Sequence, residues 1–213
     1  HKGSAGYDVQ ITGYEMHSSL MHLGVNAIME AAKIIDWGNQ QNAQSRAKTP
    51  GPLDAPFDPP WTTLHTGQIT GGTAHNITAG DCRFDFDFRC VPGDDLETWR
   101  VALFAKLAQV EAQMKAVNST AAITANRRFQ IPALTPEIDG AAERLARRLS
   151  GDNATHFVSY GTEAGQFQER GYSAVVCGPG DIAMAHQADE YITVEQFEAG
   201  QKFAAKVVDY LCE

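Results

Sequence analysis

Residues 82–90 read CRFDFDFRC, the most regular alternation in the chain. On an extended backbone successive side chains point to opposite faces. Cys82, Phe84, Phe86, Phe88 and Cys90 therefore share one face, and Arg83, Asp85, Asp87 and Arg89 share the other. A helix would scatter those rings around its whole circumference. The segment predicts a strand with one face in a core and one face polar, so the rest of the chain must cover the apolar side.

Elements that could do so flank it. Tyr7, Val9 and Ile11 alternate with Asp8, Gln10 and Thr12, a half-buried strand over residues 3–12. From Ser19 to about Gln44 the period changes, and Met21, Val25, Ile28, Ala32 and Ile35 recur at helical spacing. Thr49–Pro60 holds five prolines and reads as a loop. A second strand is expected over Thr62–Thr70. After Pro92-Gly93, Asp94 or Asp95 can cap a helix whose inward stripe is Leu96, Trp99, Leu103, Leu107, Val110 and Met114. Ala121–Arg128 reads as a further strand. The order β-α-β-β-α-β predicts a ferredoxin-like domain over residues 1–130, with both helices on one face of an antiparallel sheet.

The composition shifts at FQIPALTP, residues 129–136. Over residues 131–213 helices are expected at 138–149, after Gly161 and from Thr193, where Gln196 stands in capping-box spacing. The last helix would turn Val194, Phe197, Ala204, Val208 and Leu211 inward. Strands are expected near His156–Ser159 and, buried, at Ser173–Cys177. This is an incomplete α/β segment, with too few strands for a whole domain.

Charge narrows the function classes. Seventeen Lys+Arg against 26 Asp+Glu leave a net charge of −9, with no basic run. Nucleic-acid and anionic-membrane binding are not expected of such a surface. Four scattered cysteines without a CxxC pair suit a reducing compartment, and a cytoplasmic protein is expected. HExxH, GxSxG and P-loop motifs are absent. Of seven histidines, His17, His75 and His186 lie beside glycines or at element ends, where loops present functional groups.

Three blocks then carry a resemblance: GYEMHSSLMHLGVNAI (13–28), GGTAHNITAGDCRFDFDFRCVPGDD (71–95) and YGTEAGQF through VVCGPGDIAMAHQADEYI (160–192). Together they resemble the C-terminal half of the M20 family of dinuclear-zinc amidohydrolases. In that family a ferredoxin-like lid, which also forms the dimer, is inserted into an α/β catalytic domain. The resemblance implies a lid at 1–130 and the trailing part of the catalytic domain at 131–213. It further implies two zinc ions per site, with cobalt a possible substitute, and an N-acyl amino acid substrate. The partners implied are a second copy joined through the lid and a missing N-terminal half holding most metal ligands and the catalytic glutamate. The fragment alone is expected to be inactive.

Residue roles follow from matching positions. His186 matches the one metal ligand supplied by this half, with Asp189 and Glu190 able to brace it. Glu190 can equally be a first-turn acid of the last helix. His17 matches the lid histidine that stabilises the oxyanion in the opposite subunit's site; its plain alternative is a helix-start residue beside a capping Ser18 or Ser19. Asn76 matches a substrate-contacting asparagine, although His75 replaces the apolar residue usual before it. Arg89 matches the residue that binds the substrate α-carboxylate, and it can alternatively pair with Asp85 or Asp87 on its own face. Gly161, Thr162 and Glu163 match a pocket-lining turn, where Glu163 could receive a cationic side chain or merely favour a helix N-terminus.

Overall fold

The computed structural model describes all 213 residues, which form two compact units. The first comprises His1–Thr135 and Phe157–Gly165, the second Pro136–His156 and Gln166–Glu213. No helix is long and apolar enough to cross a membrane.

The first unit is built on strands β1 (Gly3–Thr12), β2 (Thr63–His65), β3 (Ile69–Gly71), β4 (Asp81–Cys90) and β5 (Ala122–Ile131). Helices α1 (Ala27–Ala47) and α2 (Leu96–Val117) complete it. All pairing is antiparallel: β1 lies between β4 and β5, while β2 and β3 both pair the far side of β4. The alternation in CRFDFDFRC acts as expected, with Phe84, Phe86 and Phe88 in one core with Tyr7, Val9 and Ile11 of β1. Helix α2 closes that core with Leu103, Leu107, Val110 and Met114, and Asp95 caps it by accepting from Glu97 N and Thr98 N. Arg128 is an extra residue in β5, inserted opposite the Gly6/Tyr7 step. There the Phe129 ring covers Gly6, 2.5 Å from the ideal Cβ position, so any side chain at Gly6 would have to displace that ring.

Other expectations need correction. The strand expected at Thr62–Thr70 is split into β2 and β3; between them the Asp85 carboxylate accepts from Gly67 N (2.9 Å) and Gln68 N (2.6 Å), in place of a backbone carbonyl. The last strand of the sheet runs on to Ile131 rather than ending at Arg128. The helix expected from Ser19 is two elements: a 3-10 turn, Ser18–Leu23, and α1, which begins only after Asn26. Val25 is taken by an isolated antiparallel bridge to Tyr14, and Asn26 caps α1 by accepting from Ile28 N and Met29 N. The inward stripe is therefore Ala27, Ala31, Ile34 and Gly38, while Met21 (50% exposed) and Ile28 (40%) face outward.

In the second unit α3 (Ala141–Ser150) and α5 (Val194–Cys212) form, and Thr193 caps α5 by accepting from Gln196 N at 3.2 Å. A short helix, α4 (Ala164–Glu169), spans the junction in sequence between the two units. Residues 156–159 and 173–177 form no strands, and Val175 and Val176 are exposed rather than buried. A strand needs a neighbouring ladder, and no strand of the chain offers one there. Val194, Phe197, Val208 and Leu211 likewise face outward; no residue of α5 is buried.

Candidate functional site

The 3-10 turn presents His17. Its backbone bridges Ile77, while Ser18 N donates to Asn76 O (2.9 Å) and Thr78 N to Met16 O (2.8 Å). His17 and Asn76 are thus held side by side, both exposed, just beyond the Thr12–Asp81 end of the sheet. His17 is itself the capping residue of the turn: Nδ1 accepts from Ser19 N at 3.3 Å, so neither Ser18 nor Ser19 caps it. His75 and Ile77 line a groove of about 460 Å³ with Asn26, Ile28 and Met29.

Arg89 stands at the other end. It pairs Ser4 on β1 and Thr63 on β2 in register. Its Nη2 lies 3.6 Å from Asp87 Oδ2, a loose ion pair that leaves the Arg89 side chain 39% exposed. The alternative anticipated from the strand pattern is thus present, but a contact this long does not saturate five N–H donors. Burial pushes the Asp87 carboxyl up against the opposing pull of Arg89 and His65, and Asp87 Oδ1 has no hydrogen-bond partner.

The Gly161 turn rides on this end of the same unit. A side chain on Gly161 would stand 3.5 Å from Ser4 Cβ, and Ser4 is the register partner of Arg89. Ser159 Oγ donates to Asp58 O (2.6 Å), and Phe157 packs edge-on against Phe57. Ala164 N donates to Thr162 Oγ1 at 3.2 Å, and the six-residue α4 is too short to offer an anion site. That leaves the exposed Glu163 carboxylate as the chemical group of the turn.

The structure therefore groups the candidate residues of this unit into two sets, His17 with Asn76 and Arg89 with the 161–163 turn. Asp81 and Arg89 are eight residues apart along β4, roughly 26 Å at about 3.3 Å per residue. That distance exceeds the reach of one small substrate.

His186, in the second unit, has a left-handed backbone (φ 61°). Such a conformation costs a non-glycine residue about 1–3 kcal/mol and persists only where surrounding contacts impose it. They do here. Glu190 Oε2 accepts from His186 N at 2.9 Å, Asp181 caps the 3-10 turn Ile182–Met184 by accepting from Ala183 N, and Gln187 Nε2 donates to Ala183 O. The loop presents an exposed imidazole. Glu190 thus braces the loop instead of starting α5. A catalytic zinc takes about three protein donors, and no group of three or more His, Cys, Asp or Glu side chains converges in the chain. These residues offer one imidazole and do not by themselves make a zinc site.

Sequence reading missed Asn26, although Asx at a helix start is a recognisable signal. It also missed the role of Asp85, which has no local signature because the amides it holds are 17 and 18 residues away.

Comparison with known proteins adds relatives. The model of the M20 peptidase dimerisation domain matches residues 1–115. Acetylornithine deacetylase of Myxococcus xanthus is 34% identical over 221 residues, covering 100% of this chain and 54% of that protein. The enzyme of the same name from Pasteurella multocida (strain Pm70) is 30% identical over 212 residues, covering 100% and 53%. Among solved structures, aminopeptidase PepT from Bacillus cereus ATCC 10987 matches with a TM-score of 0.66 at 19% identity, over 99% of this chain and 52% of that one. A tripeptidase from Staphylococcus aureus matches with a TM-score of 0.68 at 19% identity, over 96% and 50%. At such identity these two speak for the fold alone. The chain spans about half the length of the curated relatives it matches.

Proposed function

The chain belongs to the M20 family through its peptidase dimerisation domain, and from that premise we propose that it is the C-terminal half of a metal-dependent N-acyl amino acid amidohydrolase acting on N-acetylornithine. The products would be acetate and ornithine, a step of arginine biosynthesis. Residues 1–130 serve as lid and dimerisation domain, and 131–213 belong to the catalytic domain. His186 contributes one imidazole to a pair of zinc or cobalt ions whose other ligands lie outside these residues.

Arg89 takes the substrate α-carboxylate, for which a planar guanidinium with free donors is suited. Glu163 receives the cationic side chain of ornithine. His17 donates an N–H to the oxyanion that develops as the amide carbonyl is attacked, and Asn76 contacts the substrate beside it.

The observation that most supports this division of labour is the separation along β4. One small substrate does not bridge the two residue sets, so His17 and Asn76 serve the active site of a second copy while Arg89 and Glu163 serve the first. The outward Met21, Ile28, Met29 and Ile77 beside His17 offer an apolar surface for that second copy. A desuccinylase, or another N-acyl amino acid hydrolase, would differ at the pocket around His75 and Glu163.

Assay of the full-length protein decides among these. N-acetylornithine is expected to be turned over with the highest kcat/KM, ahead of N-succinyl-diaminopimelate and a tripeptide, and the 213-residue chain alone is expected to be inactive. Preference for either competing substrate contradicts the acetylornithine reading, and hydrolysis by the chain alone contradicts its status as a half.

A further inference from the structure

We propose that Ser19 is a positioning residue for His17, holding the neutral imidazole as the tautomer whose proton is on Nε2. The proposal rests on the oxyanion role given to His17 above. Ser19 N donates to His17 Nδ1 at 3.3 Å. A backbone N–H can only donate, so Nδ1 carries no proton while that contact is made. The Ser19 hydroxyl stands 2.8 Å from the same nitrogen. With Nδ1 an acceptor, that hydroxyl also donates.

Both donors thus address one ring nitrogen, and the Nε2–H is left as the only donor of the ring. An oxyanion needs that donor; a bare Nε2 would turn a lone pair toward it. In histidine sites generally, the partner of one nitrogen selects what the other can do. The backbone is fixed as well, since Ser18 N and Thr78 N tie residues 16–18 to the 76–78 segment. Ser19 therefore sets the orientation of the ring about its own axis on a backbone that is already held. Here the histidine takes the capping place that a serine more often fills.

Two measurements test this. In the ¹⁵N-labelled 213-residue chain, long-range proton–nitrogen spectra at alkaline pH should show His17 protonated on Nε2 and bare at Nδ1. Ser19→Ala loses the 2.8 Å hydroxyl contact and keeps only the longer 3.3 Å backbone one, so it should move the tautomer mixture toward Nδ1–H, and Ser19→Thr, which keeps a hydroxyl, should leave it in place. In the full-length enzyme Ser19→Ala should lower kcat by roughly 2- to 12-fold at unchanged KM, the range for losing one hydrogen bond, with Ser19→Thr restoring it. A wild-type chain found as the Nδ1–H tautomer, or a Ser19→Ala enzyme with full kcat, overturns the proposal. If His17→Ala itself retains full kcat, the oxyanion reading fails instead, while the spectra still decide whether Ser19 holds the ring.

Discussion

Lys2 is completely enclosed, and its Nζ donates to Pro59 O (2.7 Å) and Trp61 O (3.0 Å). Burial lowers its pKa to about 8 despite nearby Asp58, Cys90 and Asp54. In the unfolded chain lysine holds its proton to about pH 10.4. Between those values the unfolded state binds more protons, so this group makes stability rise with pH; below about pH 8 both states are charged and its slope vanishes. Cys90 opposes it, because burial pushes that thiol up to about 12, and ionisation of the unfolded thiol favours unfolding as the solution becomes alkaline. The difference between wild type and Lys2→Met isolates the lysine. Urea unfolding at pH 7, 9 and 10.5 should show wild type gaining on the variant across that window, by a few kcal/mol at most. A constant difference would contradict the lowered pKa. Arg89→Ala tests the substrate side: loss of a charged hydrogen bond of about 1.5–3 kcal/mol should raise KM roughly 10- to 150-fold. An unchanged KM with lowered stability would make the pair with Asp87 its only role.

Among the elements, β1, β4 and α2 were legible because their inward residues are large and apolar at the right period. Helix α1 was not. Its buried stripe is Ala27, Ala31, Ile34 and Gly38, of which all but Ile34 are small, and at Gly38 the helix lies so close to Phe86 that the ring would stand 3.1 Å from an added side chain. The larger Met21 and Ile28 mimic a stripe one position out of step. The start of α1 rests on Asn26, so Asn26→Ala should cost about 1 kcal/mol, the usual value of such a cap. Thermal unfolding should register a drop of about 2–4 °C, and an unchanged midpoint would show that the bridge between Tyr14 and Val25 holds the helix start alone. Loop positions marked His17 and His186, and the strand pattern placed Arg89 on a polar face, but their roles were legible only through motif resemblance. Nothing in their spacing reveals that His17 and Asn76 meet, whereas the strand expected over residues 82–90 already sets Arg89 a strand's length from Asn76. The φ of His186 is equally invisible, since histidine carries no glycine-like mark of a left-handed backbone.

At the scale of the whole molecule, α5 turns Val194, Phe197, Val208 and Leu211 outward, the last 76% exposed, and residues 173–177 have no strand beside them. On the proposed reading both surfaces are covered by catalytic-domain chain outside these 213 residues, and that is why their sequence reads as core while their structure is exposed. The dimer belongs to the same scale. Met21→Glu with Ile28→Glu would place two charges on the proposed lid interface without touching the core. Sedimentation of the full-length protein should then shift from dimer toward monomer, and a variant that stays dimeric places the interface elsewhere.

On the proposed reading the His17 end of one lid completes the active site that holds His186 of the other subunit. Full-length His17→Ala and full-length His186→Ala should each be nearly inactive, the former losing about 10²–10³ in kcat, the range for one oxyanion donor. Exchange of subunits between them creates a heterodimer in which one active site carries both lesions and the other carries neither. Activity should return, approaching half of wild type per heterodimer. Two inactive parents that remain inactive after verified subunit exchange would contradict it.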